Sequence, residues 1–405
     1  MSKAILNDDF FDGFRSSVLA VTSAETLPPE CYTDESFYEF EKEALFNHEW
    51  LCVGRESWVA NPGDFFTSMH CGEPIVVTRT AESELIAMSS VCRHRAMLVA
   101  EGHGNAKTLL CPYHHWSYSL DGQLIGAPAM NLTKDFDRSS IKLPRFKVEI
   151  WLGFVFINFD LEAPPLGHRL EAVTAVLGNY DMANTEGPFP DPASRYAWNW
   201  KVMLENNNDG YHANRLHRGP LHDFIPSDRA SFPELPADTA GYFRYNGTTH
   251  PDAGFNAMQK AVLKIFPKLT DEDRNRVLFA NVPPTLSLVF TSDMIIYLIL
   301  MAESAGYHSM QIGFLFAPGA MKDPLFEERF GMSVRAAMTI TAQDLHVDAL
   351  VQTGLNSRFA PRGRYSWQEQ AQQQLNMWLV PRYLATWQKM RGSAPTLRNG
   401  DSVRD

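Results

Sequence analysis

The sequence predicts an α+β protein of two unequal domains. A small β-rich domain over residues 47–160 precedes a larger one, over 161–391, that joins an antiparallel sheet to long helices. Three observations carry this prediction. Short strand-like runs, "GEPIVVTRT" and "ELIAMSS", lead into the chain's densest cluster of cysteine and histidine. Three further runs, "TLSLVF", "MIIYLILMAES" and "HSMQIGFLFAPG", follow one another across short turns, the pattern of an antiparallel meander. Two long helical stretches, at about 324–356 and 366–391, come after them.

Taken in order, residues 1–46 are expected to form a helical segment packed on the larger domain. Within it "TDESFYEFEKEALFNHEW" reads as an amphipathic helix, capped by Thr33 or Asp34, with Phe37, Phe40 and Ala44 on one face. The two strands of the small domain are joined by "AES" as a hairpin, and "KVEIWLGFVFINFD" is one more strand-like run ending near Asp160. "EGPFPDPASR", residues 186–195, is a proline-rich connector. A helix is predicted from Trp198 to about Arg218, and residues 225–282 are weakly patterned. Ser366 and Glu369 have capping-box spacing, and Pro381 is predicted to kink or divide the last helix. The polar tail, 392–405, is expected to be flexible. There are no internal repeats.

Composition narrows the classes. Hydrophobic residues make up 45% and charged residues 20%, as in ordinary soluble domains. The net charge of −11 and the lack of a basic stretch set nucleic acid aside as a partner. The N-terminus "MSKAILNDDFFDGF" has acids where a signal peptide needs a basic and then an apolar run. The longest apolar run, Met294–Ala302, is far short of the roughly 20 residues that span a bilayer. A cytoplasmic protein without membrane attachment is therefore expected. Five cysteines do not make a disulfide scaffold, and Cys31, Cys52 and Cys71 read as inert thiols.

The other two cysteines lie in "VCRHRAMLVAEGHGNAKTLLCPYHHWSYSLDG", as Cys92-x-His94 and Cys111-x-x-His114. A structural zinc site would use all four residues around one tetrahedral ion. A two-iron cluster would place both cysteines on one iron and both histidines on the other. Zinc fingers mostly pair cysteine with cysteine and histidine with histidine. Here each arm is mixed, which suits two metal atoms that each draw one ligand from each arm. A second constellation lies in "NWKVMLENNNDGYHANRLHRG". Asp209 and His212 share a helical face, but His212 and His217 would splay by about 140° on a regular helix. Both reach one metal only if the helix ends or distorts.

The first stretch resembles the Rieske [2Fe–2S] motif, with His115 where that family usually has glycine. The second resembles the mononuclear iron motif of the Rieske non-haem iron oxygenases, with Asn206, Asp209, His212 and His217 at matching positions. The family's third ligand lies in a segment like E-D-x-x-x-x-E. This chain has "TAQDLHVDALVQTG", so Asp344 aligns with the ligand while Gln343 and Asp348 replace the neighbouring acids. Asp348 is the rival ligand, and His346 reads as a solvated helix residue. The resemblance covers roughly residues 30–390.

It implies a β-rich Rieske domain at 47–160 and a helix-grip catalytic domain at 161–391. It implies a [2Fe–2S] cluster on Cys92, His94, Cys111 and His114, and Fe2+ on His212, His217 and Asp344. High-potential Rieske proteins carry an extra cysteine in each ligand loop; Met97 and Tyr113 stand in those neighbourhoods here. With no disulfide and fewer polar donors to the sulfurs than in those proteins, a potential near the low end of the Rieske range is expected. The family assembles as head-to-tail rings, commonly homotrimers. Asp209 would then be the electron-transfer bridge from His114 of one chain to His212 of the next.

The chain lacks a dinucleotide fingerprint, since "GHG" at 102–104 has no third glycine. NAD(P)H would act only indirectly, through a separate ferredoxin or reductase. The implied role is the terminal oxygenase (alpha-subunit) component, which uses O2 to oxidise a small organic substrate. Mono-oxygenation or oxidative N-dealkylation of an aromatic or N-methylated compound is the expected outcome. The alternatives are aromatic ring cis-dihydroxylation and, remotely, a Rieske electron carrier without oxygenase activity. Asn207 and Asn208 are candidate substrate-pocket residues. Phe290, Tyr297, Phe314 and Phe316 read as core rather than pocket.

Overall fold

In a computed structural model of the chain, which describes residues 5–392 apart from Pro220 and Ala237, the strands form two seven-stranded sheets and a small three-stranded one. The first sheet runs Leu51–Arg55, Phe154–Asn158, Arg145–Trp151, Leu85–Ser89, Glu73–Arg79, Asp64–His70 and His103–Asn105, antiparallel throughout. The three-stranded sheet, Leu109–Leu110, Ser117–Tyr118 and Leu124–Gly126, carries the second Cys/His pair.

The run predicted as one strand near 147–160 is a hairpin that turns at Leu152–Gly153. Both turn residues have positive φ, 51° and 80°, as a tight primed turn requires. A leucine in that position hides the turn from sequence reading.

The second sheet runs Ser194–Tyr196, Tyr307–Leu315, Ile295–Ser304, Leu286–Phe290, Arg276–Val282, Tyr242–Gly247 and Ala230–Ser231. The proline-rich connector therefore ends in an edge strand. The weakly patterned 225–282 contributes Tyr242–Gly247, Arg276–Val282 and a short helix Asp271–Arg274 with a Thr270 capping box. Nearly every residue of Arg276–Val282 is buried, so no polar alternation marks it as a strand. Tyr297 is opposite Gly313 in the ladder, and a Cβ at 313 would come within 1.9 Å of the Tyr297 ring. The glycine leaves room for that ring to lie across the neighbouring strand, in the core.

The long helix Phe326–Leu355 packs on this sheet through Phe326, Ala337 and Ile340, which share a core with Phe279, Val289 and Phe316. The last helix, Gln370–Gly392, contains Pro381 and is not divided by it; the Ser366/Glu369 capping box precedes it. The N-terminal segment lies on that helix, with Phe11 stacked on Trp387 at 4.5 Å and Phe37 edge-on to Tyr383 at 5.3 Å. Glu41 and Lys201 form a fully buried ion pair at 2.8 Å, and Glu41 also accepts from Trp200 Nε1. This pins the start of the helix Trp200–Asn208. Deleting one partner would cost about 3–5 kcal/mol, because it strands a buried charge. No helix among the described residues is long and apolar enough to cross a membrane. The predicted flexible tail lies, from residue 393 on, outside the described residues.

Candidate functional site

The two Cys/His arms fold into matching loops. Ala96 N–H donates to Cys92 O and Cys92 N–H to Met97 O; His115 N–H donates to Cys111 O and Cys111 N–H to Trp116 O. Ala96 and His115 occupy equivalent places, both with left-handed φ, 58° and 57°. That is the conformation in which glycine is unstrained, which accounts for the glycine the resemblance leads one to expect at 115. His115 itself is exposed. Cys92 and Cys111 are buried, and the rings of His94 and His114 lie 4.6 Å apart at 79°. Trp116 stacks on His94.

No three of these four residues bring ligand atoms within 4.8 Å of one another, among the described residues. One tetrahedral zinc would require that convergence. A two-iron cluster would not, which favours it over zinc. Nδ1 of His114 is buried without a hydrogen-bond partner. One polar donor to the sulfurs is in place. Tyr118 Oη accepts from Arg93 N–H at 3.0 Å and lies 3.3 Å from Cys92 Sγ, so its own proton is free to point at the sulfur.

The second centre forms where the predicted helix breaks. Trp200–Asn208 ends at Asp209, whose extended backbone stops the helix. The Asp209 carboxylate accepts from Tyr211 N–H at 2.5 Å and His212 N–H at 3.4 Å, a turn that starts the short helix Ala213–Leu216. His212 is the residue before this helix and His217 the residue after it. The five-residue spacing therefore does not splay them, and their rings lie 5.0 Å apart. Asp209 still reaches His212, with Oδ2 at 3.1 Å from Nδ1, through the turn rather than along a helical face.

The long helix Phe326–Leu355 supplies the carboxylate. Asp344 Oδ1 lies 2.8 Å from His217 Nε2 and 3.5 Å from His212 Nε2. Asp348, one turn on, is buried and accepts from Asn206 Nδ2 at 2.7 Å, outside the converging set of His212, His217 and Asp344. His346 is exposed.

Hydrogen bonds fix which nitrogens face the centre. His212 donates from Nδ1 to Asp209, and His217 donates from Nδ1 to Gln343 Oε1 at 2.8 Å. With both rings neutral, both Nε2 atoms present lone pairs, 3.2 Å apart, beside the Asp344 oxygen that lies 2.8 and 3.5 Å from them. Three electron-rich atoms held this close need a cation between them. A proton alone meets part of that need. Burial opposes charge on His212, yet the Asp209 and Asp344 carboxylates outweigh it and hold the ring up at about 9. Burial lifts Asp348 to about 7, with the Asp344 charge adding to the rise.

A cavity of about 120 Å³ opens beside this centre, near the size of an engineered site of roughly 150 Å³ that takes one benzene ring. Asn207 and Phe314 line it. Asn208 does not: it is buried in a reciprocal amide pair with Asn281, so its pocket assignment is corrected to a structural one. That network reaches the cavity through Ser287, which accepts from Asn207 at 2.6 Å. Phe290, Tyr297 and Phe316 are core. Sequence reading missed Gln343 as the acceptor for His217, Tyr118 as a sulfur partner, and Arg244, a buried cation on the cavity wall.

The model of the ring hydroxylating alpha subunit catalytic domain matches residues 179–385, just over half of the chain. The chain belongs to the ring-hydroxylating alpha-subunit family. The Rieske [2Fe-2S] domain matches residues 49–137 of this alpha subunit. Among curated relatives, the carnitine monooxygenase oxygenase subunit of Acinetobacter pittii is 33% identical over 265 residues, 62% of this chain and 65% of that one. The glycine betaine monooxygenase oxygenase subunit of Pseudomonas aeruginosa is 32% identical over 209 residues, 51% of this chain and 48% of that one. The alignments thus span about half to two-thirds of these relatives. A crystal structure of the quaternary ammonium Rieske monooxygenase CntA superposes with a TM-score of 0.77 at 23% identity, covering 94% of this chain and all of that one, and shares the fold.

The residues of this alpha subunit fit the two metal groups of its domains. Two thiols and two imidazoles, one of each per loop and too dispersed for one ion, suit a [2Fe–2S] cluster, with the unpartnered His114 Nδ1 as a ligand atom. Two histidines and one carboxylate converging on one point suit a single Fe(II) with open positions.

Proposed function

We propose that the chain is the terminal oxygenase component of a multi-component system, and that it removes an N-methyl group oxidatively from a small substrate. The observation that carries this reading is the convergence of His212, His217 and Asp344 on one point beside a small cavity. The same chain carries a pair of cluster loops. When bound, the cluster supplies single electrons and the iron supplies O2 activation. The protein's own groups do the rest. Asp209 and Gln343 orient the two imidazoles, and the apolar walls exclude water from the substrate. The named relatives that act on carnitine and glycine betaine support an N-methylated compound, and the cavity's volume supports a small one.

The electrons come from a separate ferredoxin or reductase, in the cytoplasm. We assign Asp209 as the bridge to a cluster histidine, His114, of a neighbouring subunit in a homotrimer. Its carboxylate already holds His212 and keeps a lone pair for a second imidazole.

The test is a reconstituted assay with a reductase, NADH and a panel of N-methylated and aromatic compounds. O2 uptake matched one-to-one by formaldehyde is expected for an N-methyl substrate. Stoichiometric cis-diol from an arene, without formaldehyde, would overturn the N-dealkylation reading.

A further inference from the structure

Arg244 is the only lysine or arginine lining the cavity, among the described residues. It lies on the strand Tyr242–Gly247, and only 4% of it is exposed. Its Cζ sits 3.7 Å from the centroid of the Phe279 ring. The guanidinium has five N–H donors, yet it makes a single hydrogen bond, from Nη1 to Asn246 Oδ1 at 3.3 Å. Nε is buried without a partner. It forms no salt bridge among the described residues; Asp209, the carboxylate that shares its cavity wall, pairs with His212 instead. Burial lowers Arg244 to about 10, with Asp209 only partly opposing the shift.

Arginine is almost never fully buried unless paired, because an uncompensated buried charge is strongly destabilising. The Phe279 face compensates some of it. The guanidinium lines a cavity whose wall also holds Leu221, Phe255 and Phe314 and the carboxylates Asp209 and Asp344, neither of which it pairs with, so its unused donors point to a missing anion. The anion must be small, since the cavity is about 120 Å³. It must carry one charge, since one guanidinium balances one. It must be planar to engage the fork with two parallel bonds. A carboxylate meets all three conditions.

We propose that the substrate carries a carboxylate and that Arg244 is its anchor, holding the reacting end toward the His212/His217/Asp344 centre. This rests on the cavity being the substrate site, as argued above. A cationic, amine-only substrate would place its charge against Arg244 and is disfavoured.

The test is calorimetric binding to the holoenzyme, without electrons, of two matched pairs: glycine betaine with choline, and anthranilate with aniline. Within each pair the main difference is the carboxylate. In at least one pair the carboxylate should bind at least about tenfold more tightly, the scale of a hydrogen bond to a charged group. In Arg244→Gln that preference should fall to within about twofold, while binding of the neutral or cationic member stays or improves. Arg244→Lys, which keeps the charge but not the fork, should retain part of it. Wild-type protein with no carboxylate preference in either pair would overturn the anchor. So would an Arg244→Gln variant that keeps the preference. If Arg244→Gln fails to fold, Arg244→Lys decides: a preference unchanged from wild type refutes the fork, and a reduced one supports it. Binding is read without turnover, so an absence of formaldehyde in the reconstituted assay would overturn N-dealkylation and leave this result standing.

Discussion

Nδ1 of His217 lies 2.8 Å from Oε1 of Gln343, the residue that precedes Asp344 on the long helix. One turn of helix thus delivers both a ligand carboxylate and the acceptor that aims a ligand imidazole. Removing the acceptor frees the His217 ring to rotate or change tautomer. Gln343→Leu should weaken Fe(II) binding about 10- to 100-fold, while the cluster's visible spectrum stays as in wild type. Gln343→Glu keeps an acceptor and should restore most of the affinity. An iron titration of cluster-loaded protein measures both; unchanged affinity in Gln343→Leu would show that the hydrogen bond does not hold the ligand.

The Tyr118 hydroxyl beside Cys92 Sγ should stabilise the reduced, more negative cluster. Tyr118→Phe removes one hydrogen bond of about 1 kcal/mol, so the reduction potential should fall by about 40 mV for a one-electron couple. A redox titration followed by electron paramagnetic resonance reads this directly. A potential that does not move would mean the hydroxyl is directed elsewhere.

Iron and a proton compete for His212. With the metal-free ring held at about 9 by Asp209 and Asp344, the ring is protonated below that pH and must lose its proton before Nε2 binds iron. Apparent Fe(II) affinity should therefore rise about tenfold per pH unit from pH 7 toward 9 and level off above. About one proton should be released per iron bound near neutral pH. Calorimetry in buffers of different ionisation enthalpy counts that proton. A flat profile between 7 and 9 would contradict a protonated His212 in the metal-free protein.

Asp209→Asn should leave the cluster in place and still admit iron. Electron transfer between the centres should slow at least about tenfold, roughly 1.4 kcal/mol in the barrier. Single-turnover mixing of reduced protein with O2 and substrate gives the rate. A wild-type rate in the variant, or a fully active monomer, would remove the intersubunit bridge.

What could be read from the sequence was local. Cys92, His94, Cys111 and His114 stand in two short arms, and the mixed pairing within each arm carries the two-metal logic. His212, His217 and Asp344 were legible only through the resemblance, because helical spacing alone set the two histidines apart. The break at Asp209 that brings them together depends on a carboxylate turning back to Tyr211 and His212 N–H. Gln343 was read only as a replaced acid; its role as an acceptor escaped notice because an amide beside a ligand has no signature, and its partner His217 is far away in sequence. Arg244 escaped for a different reason: Tyr242, Phe243 and Arg244 are all buried, so the strand shows no alternation, and a single arginine in it looks like a surface charge. Asn208 was misplaced by its neighbours, since successive helical residues point in different directions and only Asn206 and Asn207 of the three line the cavity.

The most direct test of two distinct metal centres is the iron and acid-labile sulfide content of purified wild-type, Asp344→Ala and Asp348→Asn proteins. Wild type should hold three irons and two sulfides per chain, from one [2Fe–2S] cluster and one mononuclear site. Asp344→Ala should hold two irons and two sulfides with the cluster spectrum intact, and Asp348→Asn should remain at three and two. Two irons in the wild type, stoichiometric zinc, or loss of one iron in Asp348→Asn but not in Asp344→Ala would contradict the account.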